Sequence, residues 1–219
     1  MHILNKRGLL AAFLMLILIG SGDVAKAKDA DASMGGAEQY HLRMHHLHTG
    51  ESIDVVYRVG DTYLPNAIAR LNYFLRDHRT QNESDYDPKE FDLLHTLMTR
   101  LGRPDGVIDI VCGYRTPWSN SLLRSRSANS GVAEHSQHML AKAIDIRVPG
   151  VTTARLRDTA LSLHAGGVGY YPVSQFVHVD VGPVREWQYG RVRTVRTRSV
   201  ARSTRHTPRH RASAIASGF

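Results

Sequence analysis

Between residues 47 and 60 the chain alternates apolar and polar positions. Ile53, Val55 and Tyr57 fall on one side, with a His-Thr-Gly turn before them and Gly60-Asp61 after them. Period two is the signature of a half-buried strand, and the flanking turns predict a hairpin. The rhythm then changes. In PNAIARLNYFLRDHRT (65–80), Ile68, Leu71, Phe74 and Leu75 recur at helical spacing behind Pro65. DPKEFDLLHTLMTRLG (87–102) repeats the design: an Asp87 cap, Pro88 at the first position, apolar residues at 91, 94, 97 and 98, and Gly102 as a stop. GVIDIVCGY (106–114) reads as a buried strand, PWSNSLLRSRS (117–127) as a helix and AKAIDIRV (141–148) as a further strand. TTARLRDTALSLHAGG (152–167) reads as a helix closed by glycines, and GVGYYP and FVHVDVG as two short strands around a turn at Pro172. Helices come early, strands concentrate late, connections are short, and no internal repeat is present. The class this predicts is α+β, with helices packed on one small antiparallel sheet.

The two ends do not share this patterning. Lys6 and Arg7 precede an apolar run from Gly8 to Gly20 and then Ala25-Lys26-Ala27. A basic start, a short apolar stretch and a small-x-small site predict a signal peptide over 1–27, cleaved after Ala27. The apolar run is short for a spanning helix, which needs about 20 residues. A small-residue linker is expected over 28–46 and the folded domain over 47–190. Residues 191–219 hold eight arginines and no acid. The net charge of +8 therefore belongs to the tail and the leader, and residues 28–190 carry a net charge of −2. A Ser/Thr/Arg-rich tail without apolar periodicity is expected to be disordered. It is suited to an anionic surface, either membrane head groups or anionic wall polymers. No nucleic-acid partner is expected behind a secretory signal.

An extracytoplasmic chain of this size commonly uses disulfides, but Cys112 is its single cysteine, so no internal bridge can form. In VIDIVCGY that cysteine reads as a small buried side chain. There is no Gly-x-Ser-x-Gly elbow and no candidate cysteine nucleophile. The remaining chemistry is histidine and carboxylate. His138 and Asp145 stand seven apart in SQHMLAKAID, and His178 and Asp180 share one face of the strand in FVHVD. A catalytic zinc takes three such ligands and keeps one position for water. Spacing alone is weak evidence in a chain with thirteen histidines. HLRMHHLH (41–48) has four of them and no carboxylate partner, and reads as adventitious. GGVGYYP lacks the lysine and helix start of a phosphate loop.

Several blocks in order (LHTGESIDVVYRVG, LNYFLRDHRT, CGYRTPWSN, SQHMLAKAID and GGVGYYPVSQFVHVDVG) resemble the LAS metallopeptidases, the lysostaphin-type, D-Ala-D-Ala peptidase and hedgehog-like superfamily. Within it the chain looks most like signal-bearing bacterial murein endopeptidases, over about residues 47–187. The resemblance implies a hedgehog/D-Ala-D-Ala-peptidase-like domain with one Zn2+. It implies His138, Asp145 and His178 as metal ligands and Ser136 as a neighbour that orients a ligand. It implies Arg115 at the substrate or the oxyanion, with Tyr114 beside it. His135, three residues before His138, reads either as a neighbour of the metal or substrate acting in proton transfer or as a solvent-facing loop residue. Many relatives carry an acid just before the last ligand or end in His-x-His, and this chain does neither. Asp180 is therefore the first candidate for general base, and an alternative register makes Asp180 the ligand and His178 the base. Where the family often has glycine, this chain has Ala141.

The implied activity is zinc-dependent hydrolysis of peptide cross-links in peptidoglycan, in the periplasm after signal cleavage, with stem peptides as partners. The bond is either D-Ala to the meso-diaminopimelate side chain or one between two diaminopimelates. Two alternatives remain open: a D,D- or L,D-carboxypeptidase on the same stem peptides, and a non-catalytic wall-binding protein.

Overall fold

The computed structural model describes residues 36–126 and 131–190; the expected signal segment and the basic tail lie outside them. The elements follow in the order β1 (Gln39–His46), β2 (Ser52–Val59), β3 (Thr62–Tyr63), α1 (Pro65–Phe74), α2 (Lys89–Arg100), β4 (Val107–Cys112), α3 (Pro117–Ser125), a 3-10 turn (Gln137–Leu140), β5 (Ala143–Arg147), α4 (Thr153–Leu163), β6 (Gly167–Tyr171), β7 (Phe176–Asp180) and β8 (Arg185–Gln188). Helix starts follow local chemistry. Pro65 and Pro117 each open a helix, where a missing N–H costs nothing. The Thr116 hydroxyl accepts from Ser119 N–H at 3.2 Å, and Asp77 in turn accepts from both Thr116 N–H and its hydroxyl at 2.8 Å.

All eight strands form one sheet in the order β3-β2-β1-β4-β5-β7-β6-β8. The α+β class holds. The sheet is larger than the small antiparallel one expected, and it is mixed, because β1 pairs with β4 and β6 with β8 in parallel. Helices α1 and α2 pack on β2 and β1, and α4 on β6 and β7. Between them and the sheet lies a core of Leu42, Met44, Tyr57, Leu71, Phe91, Leu94, Leu97, Ile110, Ile144, Ile146, Val177 and Val179.

The domain begins earlier than expected. Residues 39–46, expected as linker, form β1, an interior strand hydrogen-bonded to both β2 and β4. Leu42, Met44 and His46 point inward while Arg43 is exposed. The period-two pattern was present in the sequence, but one of its inward positions is a histidine. His46 is fully buried; its Nδ1 accepts from the N–H groups of His48 and Thr49 in the turn, at 3.2 and 3.4 Å, while its Nε2 has no partner among the described residues. The histidine-rich stretch is thus half of the β1–β2 hairpin, and it lies away from the cleft described next.

Candidate active site

Strand register builds a row of side chains across the sheet. Cys112 on β4 pairs with Asp145 on β5, Asp145 with His178 on β7, His178 with Gly169 on β6, and Gly169 with Trp187 on β8. Paired positions project to one face, so five strands contribute to a single line. The β4–β5 pairing shifts register between Ile110 and Cys112, and this irregularity brings Cys112 into the row. Asp145 sits between Ile144 and Ile146, and His178 between Val177 and Val179, so the opposite face of the same strands feeds the core.

His138 arrives from the 3-10 turn. Ser136 caps that turn, its hydroxyl accepting from His138 N–H at 3.3 Å. The structure thus gives Ser136 a hold on the backbone of His138. The ring is fixed separately. Its Nδ1 lies 2.8 Å from the carbonyl oxygen of Gly113, which places the proton on Nδ1 and the lone pair on Nε2. Ala141, which closes the turn, adopts φ 50° and ψ 45°. Its left-handed backbone explains why glycine suits this position.

Three donor atoms then converge. His138 Nε2 is 3.1 Å from His178 Nδ1 and 3.2 Å from Asp145 Oδ1, and His178 Nδ1 is 2.9 Å from Asp145 Oδ1. Tetrahedral ligands about 2.0–2.1 Å from a zinc ion lie about 3.3 Å from one another, so this triangle fits one face of such a site. The residues are 2 %, 6 % and 5 % exposed. Burial lowers the proton affinity of His138. Burial opposes ionisation of Asp145, but the two imidazoles outweigh it and hold the carboxyl well below the usual range. The Cys112 sulfur also lies within 4.8 Å of the His138 and Asp145 donors. It accepts an Arg115 N–H at 3.5 Å, and burial pushes its thiol up. His178 is the better third member, because its Nδ1 stands 3.1 and 2.9 Å from the two partners, while burial keeps the Cys112 thiol protonated.

Asp180 does share a face with His178, but it stands behind the ring. His178 Nε2 is 2.9 Å from Asp180 Oδ2, while Nδ1 faces the other two donors. Asp180 is fully buried and also accepts from Gly167 N–H, Gly182 N–H and both terminal nitrogens of Arg185. Burial resists its ionisation, and the bonds from His178 and Arg185 overcome that. This geometry corrects both expectations for Asp180. It does not border the cleft where a water would be activated, and it is not in the donor triangle in place of His178. Two faces of one imidazole separate it from the reaction space.

The triangle opens into a cleft of about 230 Å³ lined by Arg115, His135, Gln137, Tyr171, Arg185 and Trp187, among others. His135 is on its exposed rim. Arg115 is 6 % exposed; it donates to Asn120 Oδ1 at 3.1 Å and lies 3.9 Å from Asp145 Oδ2. Tyr114 does not reach the cleft. It packs against the hydrophobic core, and its N–H donates to the Leu75 carbonyl at 2.8 Å.

Comparison with known proteins places the chain in a family. The family model Peptidase_M15_2, described as peptidoglycan L,D-endopeptidase MepK, matches residues 35–187. The chain belongs to this family. Peptidoglycan L,D-endopeptidase MepK of Escherichia coli strain K12 is 43 % identical over 146 residues, covering 67 % of this chain and 79 % of the relative. The probable MepK of Haemophilus influenzae is 39 % identical over 147 residues, covering 67 % and 78 %. No solved structure matches the chain. The family match starts at residue 35 and so includes β1, in accord with the earlier domain start.

The sequence reading assigned no role to Tyr171, Arg185 and Trp187, which line the cleft. Trp187 lies 5.0 Å from the His178 ring and donates its indole N–H to the Tyr171 hydroxyl at 3.1 Å. The glycines of GGVG are the seats for this wall. A Cβ on Gly169 would stand 2.6 Å from the Trp187 indole, and one on Gly167 would stand 2.4 Å from Asp180 Oδ2. The i, i+2 rule applied to His178 and Asp180 would have paired Arg185 with Trp187 too, had their strand been anticipated.

Proposed function

We propose that the chain is a zinc-dependent endopeptidase that hydrolyses peptide cross-links of peptidoglycan, at the bond between two diaminopimelate residues. The observation that carries this reading is the buried His138–Asp145–His178 triangle, at the spacing of zinc ligands, in a cleft of a Peptidase_M15_2 member. The choice of bond follows from chemistry. The relatives are named L,D-endopeptidases. Of the two cross-links considered, D-Ala to diaminopimelate joins two D centres. The diaminopimelate–diaminopimelate bond joins the carbonyl of an L centre to the amine of a D centre.

Each residue has a part in this reading. His138 through Nε2, His178 through Nδ1 and Asp145 through Oδ1 would hold the metal. Bound zinc supplies a polarised scissile carbonyl and an activated water. Gly113 fixes the tautomer of His138 and Asp180 that of His178, so both lone pairs point to one place before metal arrives. Arg115 braces Asp145 from behind and puts a fixed positive charge beside the reacting carbonyl. His135 is the one cleft imidazole among the described residues outside the triangle, and we assign it the exchange of protons with water and leaving amine. The complete donor set disfavours a purely wall-binding protein. Peptidoglycan as substrate implies work outside the cytoplasm, consistent with a signal segment at 1–27. Residues 191–219 lie beyond the family match, and their arginines would hold the enzyme to anionic wall polymer or membrane.

The test is incubation of zinc-loaded protein with purified muropeptide dimers of each cross-link type, following products by mass. Conversion of the diaminopimelate-linked dimer to monomers, abolished in His138→Ala, is expected. Conversion of the D-Ala-linked dimer alone would overturn the bond assignment. Conversion of neither, with zinc bound, would overturn the enzymatic reading.

A further inference from the structure

The substrate inferred above has a charge in a fixed place. In a diaminopimelate–diaminopimelate cross-link the scissile nitrogen is attached to a D centre, and that same carbon bears a carboxylate. Only two bonds separate it from the nitrogen. Any residue that reads it must stand in the cleft beside the donor triangle. Among the described lining residues, two carry a permanent cation, Arg115 and Arg185.

Their free hydrogen-bonding capacity differs. The Arg115 guanidinium is buried, with Nη1 given to Asn120 and Nη2 to Cys112 and facing Asp145. Arg185 has a side chain 40 % exposed. A guanidinium has five N–H groups, and three of those of Arg185 have partners here. Nη1 donates to Asp180 Oδ1 at 3.0 Å and to the Pro183 carbonyl at 3.0 Å, and Nη2 donates to Asp180 Oδ2 at 2.8 Å. Asp180 thus occupies the end-on edge of the fork. The Nε–H and the second Nη2–H have no partner among the described residues, and they lie side by side on the adjacent edge. Two parallel donors on one edge are the geometry that takes a carboxylate bidentately.

The mounting is rigid. The guanidinium carbon sits 5.0 Å from the Trp187 ring centroid, and Trp187 is itself tied to Tyr171. Asp180 joins Arg185 to His178, so the free edge is held in fixed relation to the donor triangle. The charges are also favourable. Asp145 and Asp180 are matched by Arg115 and Arg185, and a bound dication leaves the cleft positive.

We propose that Arg185 is the anchor for the substrate carboxylate next to the scissile nitrogen, binding it through the free Nε/Nη2 edge with Trp187 as its platform. The inference rests on the endopeptidase reading and deepens it. It makes the enzyme selective for cross-links in which that carboxylate is free rather than amidated.

The experiment compares two diaminopimelate-linked dimers, identical except that this carboxylate is free in one and a carboxamide in the other. Wild type is expected to favour the free form about 10- to 100-fold in kcat/KM, the size of one charge-assisted pair. Arg185→Gln, compared at saturating zinc, is expected to lose the preference and cleave the two forms at similar rates. Loss of a merely structural brace would slow both substrates and leave their ratio intact, so a preserved ratio in Arg185→Gln overturns the proposal. Equal cleavage of the two forms by wild type also overturns it. Cleavage of neither by wild type would overturn the endopeptidase reading, and this inference with it.

Discussion

Asp180→Asn tests the bracing of His178 by Asp180. The native carboxylate accepts from His178, two backbone N–H groups and both terminal nitrogens of Arg185. Asparagine has the same shape but one accepting oxygen and a donating amide. If the oxygen faces His178, the amide meets the N–H groups of Arg185. If it turns the other way, His178 must carry its proton on Nδ1, and the lone pair leaves the donor triangle. Either way the third ligand is weakened. Loss of such an outer partner typically costs 10–100-fold in metal affinity, or about 1.4–2.7 kcal/mol. The effect also reaches stability. Zinc at about 1,000 times its Kd stabilises by ~4.1 kcal/mol, and a hundredfold weaker site keeps ~1.4 kcal/mol at the same zinc concentration. For a domain of this size, about 2–4 °C of Tm per kcal/mol makes the zinc-induced rise in Tm shrink by roughly 5–10 °C. Competition against a chromophoric chelator gives the affinity, and thermal unfolding with and without zinc gives the increment. Wild-type affinity and a full zinc increment would refute the bracing of the metal ligand, whatever the turnover, since Asp180 also holds Arg185.

Three further outcomes are expected. Glu90 is fully buried, with both carboxyl oxygens unpartnered among the described residues; burial first, and then the charges of Asp180 and Asp87, raise its pKa well above the ordinary value. The stability this acid contributes is full below its unfolded pKa of about 4.3. It is lost as pH rises toward the folded value, at ~1.4 kcal/mol per pH unit. Urea melts of Glu90→Gln should gain on wild type by that slope above pH 4.3, and parallel pH profiles would contradict it. His164 closes α4 with φ 49° at an exposed position, so His164→Gly should stabilise by about 0.5–1 kcal/mol, and a lower denaturant midpoint would contradict the backbone argument. Deleting 191–219 should weaken salt-sensitive binding to sacculi while leaving cleavage of soluble muropeptides nearly unchanged, and equal loss on both would make the tail part of the catalytic unit.

The donor triangle was legible because its residues sit in short motifs, and because period two is a local rule that needs no knowledge of pairing. The same rule misled at Asp180. It puts two side chains on one face, but an imidazole has two nitrogens, and which of them looks toward the cleft depends on how Gly167 on β6, Gly182 in the following turn and Arg185 on β8 hold Asp180. β1 was hidden for a different reason: a buried histidine interrupts the apolar series, and the partners of its Nδ1 come from the turn that follows it. Arg185 and Trp187 were out of reach because β8 joins the sheet in parallel beside β6 rather than beside its sequence neighbour β7. No local pattern announces that crossover. Tyr114 illustrates the converse, since adjacency to Arg115 in sequence did not carry it into the cleft.

The row from Cys112 to Trp187 has a consequence for quality control in the cell envelope. A slip of one residue between β5 and β7 would send every side chain on the slipped strand to the opposite face. His178 would then face the core while Asp145 still faced the cleft, and no triangle would exist. On the zinc-peptidase reading, metal capture would therefore be a reading of strand register across the middle of the sheet. A misfolded copy would be released without the ion that makes it dangerous to the wall, so a hydrolase able to open the cell's own envelope would become competent only when correctly assembled.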